Sequence, residues 1–372
     1  MTKIPWYIWL SVVGVTSAMI GGHWDISWHR SIGRDTFWTA PHLAIQLCGV
    51  IAGITCGYLI LWTTFTHSQL REASVNVLGF RGPLGAFICA WGGFTMITSA
   101  PFDDWWHNAY GLDVKILSPP HVVLVIGFVA VEIGTMVLIA AGMNRSSGRT
   151  RRHLEWLFLY VNSMILLELL TAALELTNRS FLHTAVCYRA ICILVPVVLA
   201  IASRATGLRW AATIVSAIYT VFILGLVWIL PLFPAQPKLG PVMQDVKQFI
   251  PPDFPLLVLA PALVLDFLWP RIAAWNKWKQ ALVSGALFLG ALVLVEWPFG
   301  DFLQSPPARN GFFGTIYFSY FQSPQSYAAT YRFVPYETSA EFRIGMLVAF
   351  ACGIVSVWIG MGAGDWLKRV RR

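Results

Sequence analysis

Ten stretches of 18 or more residues run almost free of charge through this chain, near 5–22, 41–66, 83–100, 120–142, 155–176, 185–203, 210–233, 255–274, 281–298 and 343–363. An α-helix crosses the hydrocarbon of a bilayer in about 20 apolar residues. Inside lipid a segment must satisfy its own backbone hydrogen bonds, which leaves helices and closed barrels. The runs are continuously apolar and lack the alternation of a barrel strand, so helix is the expected element throughout. The fold expectation is therefore an all-α, polytopic helical membrane protein of about ten transmembrane helices. Composition agrees, with 57% hydrophobic and 12% charged residues and a mean hydropathy of +0.64.

Basic residues tend to stay on the cytoplasmic side of a membrane. With the C-terminal Lys368-Arg369-Val370-Arg371-Arg372 placed inside, Lys3, Arg71, Arg81, Arg145, Arg149, Arg151, Arg152, Arg204, Arg209, Arg271, Lys277 and Lys279 fall on the same face. Both termini are then cytoplasmic. The net charge of +8 reflects this bias and calls for no nucleic acid. The first apolar run has only Thr2-Lys3 ahead of it and no A-x-A cleavage site, so it reads as a retained helix and not as a signal peptide. Cys48, Cys56, Cys89, Cys187, Cys192 and Cys352 all fall in or beside apolar runs without a CxxC spacing, and read as small buried hydrophobes.

Against this background two polar passages stand out, because they nearly repeat one another. The first runs Asp25-Ile26-Ser27-Trp28-His29-Arg30-Ser31-Ile32-Gly33-Arg34-Asp35 and closes with Pro41-His42. The second runs Asp103-Asp104-Trp105-Trp106-His107-Asn108-Ala109-Tyr110-Gly111-Leu112-Asp113 and closes with Pro120-His121. Each lies between two apolar runs, and on the basic-residue topology both face outward. The pattern predicts a duplicated helical hairpin in residues 1–143, with a second helical bundle over 154–372. The basic stretch from Asn144 to His153 is the most linker-like segment between them. A weaker echo, Trp297-Pro298-Phe299-Gly300-Asp301, ends the ninth run.

Asp25 and His29 are four residues apart, one helical turn, and project from one face if the outer end of the first helix persists. Pro favours the first position of a helix, which places His42 at the mouth of the second. One carboxylate and two imidazoles then meet where two helices meet, a donor set suited to iron, copper or zinc. The second copy supplies Asp103, His107 and His121. Asp35 and Asp113 are candidates to accept from the distal N–H of a ligating imidazole. His23 is an extra candidate ligand in the first copy alone.

Asp25, His29 and His42, with Arg34-Asp35-Thr36 between them, resemble the metal-site motif in the C subunit of the copper membrane monooxygenases that oxidise methane and ammonia. The resemblance covers about one hairpin. It implies copper, a site on the outer, periplasmic side of a bacterial inner membrane, and a monooxygenase-like oxidoreductase or its membrane subunit. Electrons would then come from a partner protein or quinol, since no flavin, haem-attachment or iron–sulfur signature is present.

Two other functions stay open beside that one. The first is a protein for metal uptake or delivery, in which Glu132, Glu168 and Asp266 mark a proton or ion path through the membrane. The second is a scaffold subunit of a respiratory complex, with haem between His42 and His121. The outer segment 300–342, rich in Tyr and Phe, is expected either to rest in the lipid interface or to act as a lid.

Overall fold

In a computed structural model of the protein, residues 3–33, 38–66, 69–111, 118–236, 246–315 and 337–372 are described. Asp35, Asp113 and most of the aromatic outer segment lie outside these residues. The helices are α1 Trp6–Ser31, α2 Ala40–Phe65, α3 Leu84–Tyr110, α4 Pro119–Asn144, α5 Gly148–Ala172, the short α6 Leu174–Thr177, α7 Ala185–Thr206, α8 Ala211–Ile229, α9 Leu259–Leu268, α10 Lys277–Gln304 and α11 Ser339–Leu367. The described strands are β1 Val75–Val77 and β2 Phe80–Gly82, an antiparallel hairpin between α2 and α3.

Eight of these helices are long and apolar enough to cross a membrane: α2, α3, α4, α5, α7, α8 with its extension to Leu232, α10 and α11. They carry large apolar side chains on their outer surfaces, among them Ile54, Phe94 and Val221, each more than 60% exposed. In water such faces would be costly; in lipid they are the solvent contact. The chain is thus a helical membrane protein.

Two of the ten expected spans are not among these eight. Residues 5–22 fall in α1, which has 26 residues but is less apolar than the eight. Residues 255–274 yield only α9, ten residues and therefore about 15 Å long, too short to cross alone. Pro251, Pro252 and Pro255 before it and Pro270 behind it lack the N–H that a continuing helix needs. The basic stretch between 144 and 153 is itself largely helical, since α5 begins at Gly148.

The chain divides into two compact units. One comprises Met1–Asp25, Arg34–Glu168 and Trp366–Arg372; the other comprises Ile26–Gly33 and Leu169–Asp365.

In the first unit α2, α3 and α4 pack side by side in sequence order, and the facing pairs Gly85–Gly134 and Gly92–Gly127 show α3 and α4 to run antiparallel. Small residues allow the backbones to approach closely. A Cβ at Gly92 would stand 2.6 Å from the Gly127 carbonyl oxygen, and one at Gly134 2.7 Å from that of Gly85. Gly93 meets the Gly49 carbonyl in the same way on the α2 side. Asn144 closes the far end of this unit, donating to the carbonyls of Leu367 and Val370 at 2.8 and 2.7 Å.

The second unit is held by buried polar contacts. Asp266 of α9 accepts from the backbone N–H groups of Ala212 and Thr213 and from the Thr213 hydroxyl, capping α8. Glu296 of α10 accepts from Leu257 N at 2.7 Å. Arg179 and Asp253 form a largely buried ion pair at 3.1 Å.

Candidate metal centre

The end of α3 and the start of α4 bring three side chains to one point. Asp103 and His107 are one turn apart on α3, just beyond Pro101, and His121 is the third residue of α4, directly after Pro119-Pro120. Asp103 Oδ1 lies 3.3 Å from His107 Nε2 and 3.4 Å from His121 Nε2. The Asp103 side chain is only 14% exposed, while the two imidazoles stay partly open at 24% and 32%. Ligand atoms about 2.1 Å from a tetrahedral ion stand about 3.4 Å apart, so these separations match the edges of such a coordination shell.

The hydrogen bonding sharpens this. His107 Nδ1 lies 3.2 Å from the Gly111 carbonyl oxygen. A carbonyl can only accept, so Nδ1 carries the hydrogen, and in the neutral imidazole Nε2 presents its lone pair toward Asp103, free to take a metal ion or a proton. Asp103 Oδ1 is buried and makes no hydrogen bond among the described residues. With the neutral rings, lone-pair atoms face Asp103 at 3.3 and 3.4 Å, an arrangement that either a metal ion shared by the three groups or a proton on an imidazole makes favourable.

Gly111 ends α3 with φ of +83° and ψ of −177°, a conformation open essentially to glycine, and this turn aims its carbonyl back at His107. Asp35 and Asp113, the carboxylates expected to orient the imidazoles, lie outside the described residues; the orienting group seen at His107 is a backbone carbonyl, signalled in the sequence only by a helix-terminating glycine.

The first motif has the same parts. Asp25 and His29 lie one turn apart near the end of α1, and His42 is the third residue of α2, after Ala40-Pro41. Asp25 Oδ1 and His42 Nε2 are 3.2 Å apart. His29 completes a group whose ligand atoms lie within 4.8 Å of one another, as do those of Asp103, His107 and His121. Gly33, at φ of +87°, follows α1 as Gly111 follows α3. His23 is not in the group: it is buried, with Nδ1 3.0 Å from the Met19 carbonyl one turn back.

The interior acids differ among themselves. Glu132 and Glu168 are both buried and near enough to interact electrostatically. Asp266 is occupied by the α8 cap and Glu296 by Leu257, while Glu175 is exposed. A further His–Asp pair lies in the second unit. His183 Nε2 is 3.1 Å from Asp301 Oδ1, with the Trp297 carbonyl at the same distance, but Asp301 is largely exposed and no third ligand joins them among the described residues.

Comparison with protein-family models, with curated proteins and with solved structures gives no match.

Proposed function

We propose that this chain is an integral membrane metalloprotein that binds copper at Asp25/His29/His42 and at Asp103/His107/His121 on the outer, periplasmic face of a bacterial inner membrane. Its role is that of a monooxygenase-like redox enzyme or the membrane subunit of one. The observation that carries the reading is the convergence of His107 Nε2 and His121 Nε2 on Asp103 Oδ1 at 3.3–3.4 Å, with His107 Nδ1 held by the Gly111 carbonyl. Three protein ligands leave a coordination position open, as reactive sites do and closed structural sites do not.

Copper bound there supplies one-electron chemistry with oxygen. The chain's own part is to orient the imidazoles, through Gly111 for His107, and to hold one negative charge at Asp103. Electrons come from a partner subunit or quinol.

The reading is tested by electron paramagnetic resonance on the protein purified in mild detergent and loaded with Cu(II). It predicts a signal with nitrogen hyperfine structure from imidazole, lost on reduction by a quinol and regained in air. A protein that takes up only zinc, or whose copper signal is indifferent to the double variant His29→Ala/His107→Ala, would overturn it.

A further inference from the structure

The end of α4 remote from His121, about 35 Å along the helix, gathers cations from two distant parts of the chain. Asn144, the last residue of α4, donates from Nδ2 to the carbonyl oxygens of Leu367 and Val370 at 2.8 and 2.7 Å, across 223 and 226 residues of sequence. The Leu367 and Val370 side chains are buried, so Trp366–Arg372 is packed onto this end of the first unit. Lys368, Arg369, Arg371 and Arg372 stand exposed around those two anchors. The first turns of α5 fold back to the same place: Arg151 donates to the Met143 carbonyl at 3.0 Å, and a Cβ at Gly142 would meet Leu154 at 3.4 Å. They expose Arg149 and Arg152.

Basic residues at a membrane boundary commonly do no more than orient the chain. Here they are assembled and left uncompensated. Glu155 is buried and held by Arg151 at 3.1 Å, and Asp365 is held by Lys277 at 2.8 Å. Among the described residues none of the six exposed cations forms an ion pair. Like charges held together repel, and a shared anion relieves that repulsion. The cations also lie at the ends of α4, α5 and α11, all long and apolar enough to cross a membrane. Trp156 of α5, Trp366 of α11 and Trp6, which opens α1 two residues before Ile8 meets Gly142, are each about half exposed. Exposed indoles at helix ends mark the level of the lipid headgroups.

We propose that Arg149, Arg152, Lys368, Arg369, Arg371 and Arg372 form a binding site for the phosphodiester headgroup of an anionic phospholipid in the leaflet they face. Guanidinium forks take phosphate oxygens two at a time. Clusters of this size directly beside a membrane helix are the ones that attract anionic lipid. A lipid suits the place better than free phosphate, because the same end carries the indoles against which a glycerol and the upper acyl chains rest. Asn144 is the positioning residue: it bears no charge, and it holds the four cations of the C-terminal stretch beside the two of α5. The site needs the chain to lie in a membrane and owes nothing to metal at the other end of α4.

The full chain in mild detergent is titrated with phosphatidylglycerol or with phosphatidylcholine of the same acyl chains, and bound lipid is counted by native mass spectrometry. The wild type is expected to bind phosphatidylglycerol about tenfold more tightly than phosphatidylcholine. Arg149→Gln/Arg152→Gln and Lys368→Gln/Arg369→Gln each abolish most of that preference, and because all four side chains are exposed these variants keep the fold. Asn144→Ala retains every cation and loses the preference as well. Arg209→Gln/Lys279→Gln, which removes two exposed cations from the second unit, leaves it unchanged. Inorganic phosphate at the lipid's concentration does not displace the lipid. A wild type without preference overturns the proposal, as does preference retained in either first-unit charge variant or in Asn144→Ala. An equal loss in the second-unit variant would reduce the effect to net charge, and displacement by phosphate would make this a site for the free ion; either result also overturns it.

Discussion

At the scale of single residues Asp103 is the centre of the second group. Its Oδ1 faces two imidazole nitrogens, is largely withdrawn from solvent and has no hydrogen bond of its own among the described residues. Asp103→Asn preserves the shape and removes the charge. The expected result is metal affinity at this group lowered at least tenfold, with Asp25, His29 and His42 unaffected, read by equilibrium dialysis. Gly111 acts at one remove. An alanine there is strained at φ of +83°, at a cost of about 1–3 kcal/mol, and the turn relaxes by moving its carbonyl away from His107 Nδ1. Loss of such an orienting partner typically costs 10–100-fold in affinity, so Gly111→Ala is expected to weaken metal binding by about that factor while α3 remains intact by circular dichroism. The grouping of Asp103, His107 and His121 is legible in the sequence because i,i+4 spacing and a Pro before the last His are both local signals. The carbonyl of Gly111 is not, because a backbone group that any residue possesses leaves no trace in residue identity.

At the scale of elements, the ends of α3 and α4 that carry Asp103, His107 and His121 are held in register by the glycine contacts further along the helices. A Cβ at Gly127 would stand 2.8 Å from the Met96 nitrogen and 2.9 Å from the Gly92 carbonyl oxygen, both backbone atoms that cannot step aside. Gly127→Val is therefore expected to destabilise the protein by about 1–3 kcal/mol, seen as a lower melting temperature, and to loosen the Asp103 group while sparing the first. Unchanged melting and unchanged metal at both groups would contradict this. The long helices were readable from hydropathy alone, since spans such as 120–142 correspond closely to α4. The failure at 255–274 has a clear cause: hydropathy averages over prolines, whereas Pro251, Pro252, Pro255 and Pro270 interrupt the hydrogen-bond ladder and leave ten helical residues. Hydropathy was equally silent on the small-residue contacts, because glycine signals close approach only when the facing helix is known.

At the scale of the whole molecule, eight apolar helices make this a membrane protein, and the proposed metal groups lie on its periplasmic side. That orientation has a direct check. Asn108→Cys, exposed beside the second group, should react with a membrane-impermeant maleimide in intact cells, whereas Ser147→Cys, exposed between α4 and α5, should react only after the membrane is opened. The reverse pattern would place the metal groups in the cytoplasm and end the comparison with a periplasmic copper site. The most direct test of the central claim is metal per chain, by mass spectrometry, in wild type, His29→Ala, His107→Ala and the double variant. Two copper ions in the wild type, one in each single variant and none in the double is the predicted result; a wild type without metal after reconstitution, or variants that bind as much as the wild type, would contradict it.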